Sequence, residues 1–143
     1  MTDASETDLA VIRRLVGRII PASSDYGVPG ADDDLIFEDI AATLRPNLAV
    51  LADLLASLDA AAVERASASD IDLLIQRLQE PFGPALGLLI AVVAQCYYRD
   101  DRVMRSLEME ARPPFPKGFE VEAGDWSLLD PVRARPRAWR DAT

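Results

Sequence analysis

The chain contains no histidine. That removes the commonest general base, the commonest metal ligand and every Ser–His or Cys–His nucleophile pair. Cys96 is the single cysteine, so an intrachain disulfide and a multi-thiolate metal site are both impossible within the chain. It lies in the apolar run Ile90-Ala91-Val92-Val93-Ala94-Gln95-Cys96, which predicts a buried structural thiol. Gly27, Gly30, Gly83 and Gly87 lack the spacing and the strand-to-helix setting of a phosphate loop. Carboxylates are the remaining acid–base or metal equipment. Asp32-Asp33-Asp34 with Glu38 and Asp39 are ligand types for a hard cation. The same run suits a solvated helix N-terminus, where the peptide dipoles favour acidic side chains, and that reading is preferred. No Glu-x-x-His pair supports a di-iron bundle, and no motif for haem or an iron–sulfur cluster is present. The chain is therefore expected to be no enzyme on its own and to bind no cofactor itself.

Recognition chemistry is better represented. Helical periodicity stops at Glu110, and residues 111–143 carry Phe115, Phe119, Trp126 and Trp139 among prolines 113, 114, 116, 131 and 136. Aromatic and Arg side chains dominate protein interfaces, and proline-stiffened chain loses less entropy when it docks. The candidate partner contacts are Tyr97, Tyr98, Arg112, Pro114, Phe115, Phe119, Trp126, Arg133, Arg135 and Trp139. Tyr97 and Tyr98 join the set because they sit where the central helix ends. An arm wrapped around its own helices is the alternative use of the same residues.

Charge divides along the chain. The formal net is -9, yet residues 1–130 hold 23 acidic and 11 basic side chains while residues 131–143 hold Arg133, Arg135, Arg137 and Arg140 against Asp141. An acidic body argues against nucleic acid as the main partner, since phosphate binding needs clustered cations. A basic tail on that body suits an acidic protein surface or a return onto its own domain.

The elements that must position these groups are helical. A chain of 143 residues, half of them apolar, predicts one domain with a real core. Thr7 is expected to cap a first helix with Leu9, Ile12, Leu15, Val16, Ile19 and Ile20 on one face, ended by Pro21. Turn formers fill residues 22–30. Asp32-Asp33-Asp34 opens a second helix with Ile36, Phe37, Ile40 and Leu44 inward, and Pro46 forces a kink or restart. Leu48, Leu51, Leu55 and Leu58 carry the third helix, which the Ala-rich residues 59–66 extend. Ser69-Asp70-Ile71-Asp72 resembles a capping box ahead of Leu74, Ile75 and Leu78. Residues 85–98 are apolar nearly all round, the mark of a central helix. Asp100 or Asp101 caps a short last helix. The expectation is an all-α fold: a compact five- to six-helix domain over residues 1–110, with a long irregular C-terminal arm over 111–143 that belongs to the same domain or docks on a partner.

No secretory signal is recognised: the segment after Arg13-Arg14 is short and interrupted by Arg18. Residues 85–94 are too few to cross a bilayer. A cytoplasmic protein without a membrane span is the expectation.

Four blocks resemble one known family. They are Ile19-Ile20-Pro21-Ala22 with the following Pro-Gly-Ala-Asp loop, Tyr97-Tyr98-Arg99-Asp100-Asp101-Arg102-Val103, Arg112-Pro113-Pro114-Phe115-Pro116-Lys117-Gly118, and Asp125-Trp126-Ser127-Leu128-Leu129-Asp130-Pro131-Val132-Arg133. In this order they look like the gluconate 2-dehydrogenase subunit 3 family. The resemblance implies a non-catalytic small subunit that binds and stabilises a large FAD-dependent dehydrogenase of the glucose-methanol-choline type, acting on a sugar, sugar acid or glycoside. FAD would sit in the partner, and a hetero-oligomer would result. Many relatives begin with a twin-arginine export signal, which this sequence lacks. An independent helical binding or regulatory domain, including a homodimer, is the alternative; a carboxylate-based metal enzyme is the third.

Overall fold

A computed structural model describes residues 5–111 and 124–135. Helix α1 spans Glu6–Ile19, and its cap is Ser5 rather than Thr7. Ser5 Oγ accepts from the Asp8 amide at 3.1 Å while the Asp8 carboxylate accepts from the Ser5 amide at 3.2 Å. This reciprocal box satisfies two otherwise orphaned N–H groups, which a Thr7 start would leave without an acidic partner three residues on. Ile20 leaves the helix in an extended conformation because Pro21 crowds its α region.

A short turn follows, in which Ser23 and Val28 exchange backbone hydrogen bonds of 3.0 and 3.1 Å around Gly27, at φ +62°. Asp33 then caps α2 (Asp34–Leu44), as the acidic run suggested. Pro46 falls in a 3-10 turn, Arg45–Asn47, that joins α2 to α3 (Leu48–Ala56). The core face of α3 is Leu48, Leu51 and Leu54, with Leu55 and Leu58 only partly covered.

Residues 59–66 do not extend α3. Asp59 starts a separate helix, α4 (Ala60–Arg65), its carboxylate accepting from the Ala61 and Ala62 amides at 3.0 and 3.2 Å. An Asp placed ahead of an alanine run is a better start signal than a continuation. The next helix, α5 (Ala68–Leu78), likewise begins at Ser67, two residues before the expected Ser69. Ser67 and Asp70 form the capping box there.

Pro84 occupies the first turn of α6 (Gly83–Tyr97), where a missing N–H costs nothing. Asp100 caps α7 (Asp101–Ser106). Helix α1 packs against α4, α5 and α6, while α2 and α3 also pack against α6, which is therefore central. Ile12, Leu15, Ile40, Leu44, Leu51, Leu54, Ile71, Leu86, Leu89 and Val93 are fully buried in one continuous core. Each contributes about 1.5–3 kcal/mol relative to exposure. Among the described residues no charged residue is buried, and the Tyr97 hydroxyl and Cys96 thiol that the core holds both have hydrogen-bond partners.

The all-α expectation holds, with seven α-helices in residues 6–106. The arm is not wholly irregular. A 3-10 turn, Trp126–Leu129, is capped by Asp125, which accepts from the Ser127 amide at 3.0 Å, and it runs into one helical turn, α8 (Asp130–Arg133). Pro131 fits because it stands in the first turn of α8. Of the stretch 111–119, expected to be non-helical, Ala111 alone lies among the described residues.

Candidate interaction surface

Two of the sequence blocks meet at one end of the bundle. Arg102, from the block after Tyr97, donates to both carboxylates that cap neighbouring helices. Its Nε and Nη2 reach the two Asp100 oxygens at 3.0 Å each, and its Nη2 and Nη1 reach the two Asp33 oxygens at 2.7 and 3.2 Å. Paired N–H groups on one planar guanidinium match a carboxylate's two oxygens, which is a task lysine cannot perform. Hydrogen bonds from Arg102, followed by those from nearby backbone amides, hold Asp33 and Asp100 below the usual carboxylate range. The same two acids raise the Arg102 pKa further.

The loop between α1 and α2 is fixed by further contacts. The Tyr97 hydroxyl donates to the Pro29 carbonyl at 3.0 Å, and the Ala31 amide donates to the Ile20 carbonyl at 2.9 Å. Burial pushes the Tyr97 hydroxyl pKa up, aided by Tyr98 and Asp100. Gly30 is required by close packing: a Cβ there would lie 2.9 Å from the Ala22 nitrogen and 3.3 Å from the Ile20 carbonyl oxygen. Arg13 adds hydrogen bonds to the Asp32 carbonyl and an ion pair with Asp34, with its guanidinium over the Phe37 ring. Arg99 pairs with Asp39 on α2, and Arg18 with Asp72 on α5.

These acids therefore serve as caps and ion-pair partners. Asp33, Asp34 and Asp39 each hold an arginine. Among the described residues no three carboxylate or thiol groups gather closely enough to hold a metal ion. Cys96 is buried with its thiol against the Thr43 hydroxyl at 3.5 Å, and burial raises its pKa, so thiolate chemistry is disfavoured. A concavity of about 620 Å³ lies between α1 and α4 on Ala10, Val11, Ala60 and Ala61. At its rim, Arg13 is committed to Asp34 and Arg14 to the Ala66 carbonyl. Glu6, Thr7 and Glu64 complete its lining.

Unpartnered apolar surface lies elsewhere. The core side of α6 holds Ala85, Leu86, Leu89, Val92, Val93, Cys96 and Tyr97. Its other side exposes Pro84, Gly87, Ile90, Ala91, Gln95 and Tyr98. These positions recur at three- and four-residue intervals, so they form one stripe, and none is charged. Helix α6 is thus two-sided, not uniformly buried as its composition suggested. The second such surface is the arm: Trp126 is 69% exposed and Leu128 74%, with Leu129 and Val132 also uncovered.

The sequence-derived contacts divide accordingly. Tyr97 is only 4% exposed with its hydroxyl engaged, so it belongs to the core and offers a partner almost nothing. Tyr98, 56% exposed, meets the Tyr97 ring edge-on at 5.3 Å and does face outward. Trp126, Arg133 and Arg135 are exposed. Arg112, Pro114, Phe115, Phe119 and Trp139 lie outside the described residues. The sequence reading missed the α6 stripe and the Arg102 bridge. Small residues at Gly87 and Ala91, with the polar Gln95 one turn on, were the available signal for the first. The alternation of acid and arginine in Asp100-Asp101-Arg102 was the signal for the second. Among the described residues no helix is long and apolar enough to cross a membrane.

No family model, curated protein or solved structure matches this chain.

Proposed function

We propose that this chain is a binding subunit without catalytic chemistry of its own, and that its partner is a large FAD-dependent dehydrogenase of a sugar, sugar acid or glycoside. The observation that carries the binding role is the uncovered apolar side of Trp126, Leu129 and Val132 beside the apolar core of the body. A chain that covers twelve large aliphatic side chains completely yet leaves a tryptophan and three aliphatic residues of one short element in water has surface reserved for a second molecule. The choice of partner rests on the resemblance of the four sequence blocks. Two of them meet in the structure through Tyr97 to Pro29, and Arg102 reaches Asp33 immediately after the loop, which supplies a physical reason for residues of those types to occur together.

Co-expression with a flavoprotein dehydrogenase encoded beside this chain tests the reading. A yellow complex that retains both chains through size exclusion, and falls apart on Trp126→Ala, is the expected result. A colourless lone protein that leaves the flavoprotein unaffected overturns it.

A self-sufficient binding or regulatory domain is the second reading. The continuous apolar core and the absence of unsatisfied buried side-chain polar atoms among the described residues favour a body that folds alone. On that reading the flavoprotein is ignored and the isolated chain is fully stable.

A further inference from the structure

We infer that the α1–α2 loop and helix α7 open together as one unit while the rest of the bundle stays folded, with Arg102 as the fastening between them. The loop, residues 20–33, is held mainly by polar contacts. Gly30 and Ala31 are its buried residues, Val28 is partly covered, and Tyr26 is exposed. Helix α7 is held lightly too. It has six residues and is not among the closely packed helix pairs of the bundle. Val103 joins the common core, whereas Met104 is buried outside it. Segments with little buried apolar surface open at lower free energy than the core, so both belong to the low-stability end of the molecule.

The joint between α6 and α7 links them. Tyr97, on the near side of that joint, donates to the Pro29 carbonyl at 3.0 Å, and Arg102, on the far side, donates to Asp33 at 2.7 and 3.2 Å. Asp33 closes the loop, its amide donating to the Gly30 carbonyl at 3.1 Å. The Asp100 amide donates to the Tyr97 carbonyl at 3.2 Å, and Asp100 also holds Arg102, so both anchors sit on one hydrogen-bonded path. A third hold comes from α1, where Arg13 donates to the Asp32 carbonyl at 2.7 and 3.0 Å; it too must break for the loop to leave. Opening uncovers Ala31, Val103 and Met104, all hidden in the closed chain. The molecule would then present apolar surface at one end intermittently, with its bundle intact.

Native-state hydrogen exchange of the full chain, without any partner and in low urea, tests this. The Val28 and Ala31 amides, bonded to Ser23 and Ile20, report on the loop. The Leu107 and Met109 amides, bonded to Val103 and Met104, report on α7. Leu15 and Val93, inside α1 and α6, report on the bundle. The loop and α7 amides are expected to share one opening free energy and one urea dependence, shallower than that of Leu15 and Val93. Arg102→Met should speed the loop and α7 amides by the same factor, about 5- to 30-fold. Gly30→Ala crowds atoms of Ile20, Ala22 and Asp32 and none of α7, yet it should speed Leu107 and Met109 as much as Val28. Separate urea dependences for the loop and α7 overturn the proposal. So does a dependence as steep as that of Leu15 and Val93, which would leave only unfolding of the whole chain. A Gly30→Ala effect confined to the loop overturns it as well. The wild-type measurement decides by itself if either variant fails to fold.

Discussion

Replacing Arg102 with Met keeps most of the side-chain stem and deletes the group that joins the two capping aspartates. Four hydrogen bonds are lost, two to Asp33 and two to Asp100. The side chains of Arg102, Asp33 and Asp100 are 40%, 27% and 14% exposed, so solvent screens both pairs. An exposed pair contributes about 0.2–1 kcal/mol, and shared geometry on one guanidinium puts this double pair at the upper end, about 1–2 kcal/mol together. For a domain of this size that is a fall of about 3–10 °C in Tm, read by circular dichroism at neutral pH. The pH dependence is the sharper test. Arg102 depresses the Asp33 and Asp100 pKa values in the folded chain, so the stabilisation is complete above the unfolded carboxylate value of about 3.9 and is lost as pH falls through the depressed folded values. Asp70, Asp72 and Asp125, also depressed, are common to both proteins and cancel in the comparison. The gap between wild type and Arg102→Met is therefore expected to be full at about pH 6 and to close in strong acid. An equal gap at both ends, or none at neutral pH, would refute the idea that this guanidinium acts through the two carboxylates.

Two further expectations follow from the same end of the bundle. Gly30→Ala drives a methyl group against the Ala22 nitrogen and the Ile20 carbonyl, both backbone atoms that cannot rotate away; a loss of about 1–3 kcal/mol in a urea titration is expected, and an unchanged midpoint would show that the loop yields freely. Cys96, buried and held above its ordinary pKa, should react with an alkylating reagent roughly 100-fold or more slowly in the native chain than in urea. Rapid native labelling would contradict its burial.

The helices themselves were legible because apolar spacing and breakers agree. Ile12, Leu15 and Val16, then Ile36, Phe37, Ile40 and Leu44, were expected inward and are buried. Pro46 restarts the chain where a missing N–H demands it. Boundaries were harder, since several Ser, Thr and Asp residues compete to cap one helix. Ser5 prevails over Thr7, which has Ala10 three residues on, and Ser67 prevails over Ser69, whose Asp72 is taken by Arg18. Asp59 inside an alanine-rich stretch was read as a continuation, although its side chain accepts two amides and starts α4.

Surface function was less legible. A hydrophobic tally marks α6 as central but does not say which of its apolar residues face outward, since that depends on where α1, α2 and α3 lie. Tyr97 and Tyr98 are chemically alike and adjacent in sequence, yet successive helical residues point about 100° apart, so one is sealed in the core and the other faces solvent. Arg102 and Asp33 are 69 positions apart, and no local rule links them.

Helix α1 packs against elements that come much later, the last of them α6, which ends at Tyr97. During synthesis its apolar face is complete once Ile19 has been made, but the last of its packing surfaces follows 78 residues behind. At about 5–20 residues per second that is a wait of roughly 4–16 seconds outside or within the ribosome. Val11, Ile12, Leu15 and Val16, buried in the finished bundle, lack their α6 neighbours throughout that interval. Translation speed across residues 20–97, more than the stability of the finished bundle, should then govern how much of this protein a cell accumulates in folded form.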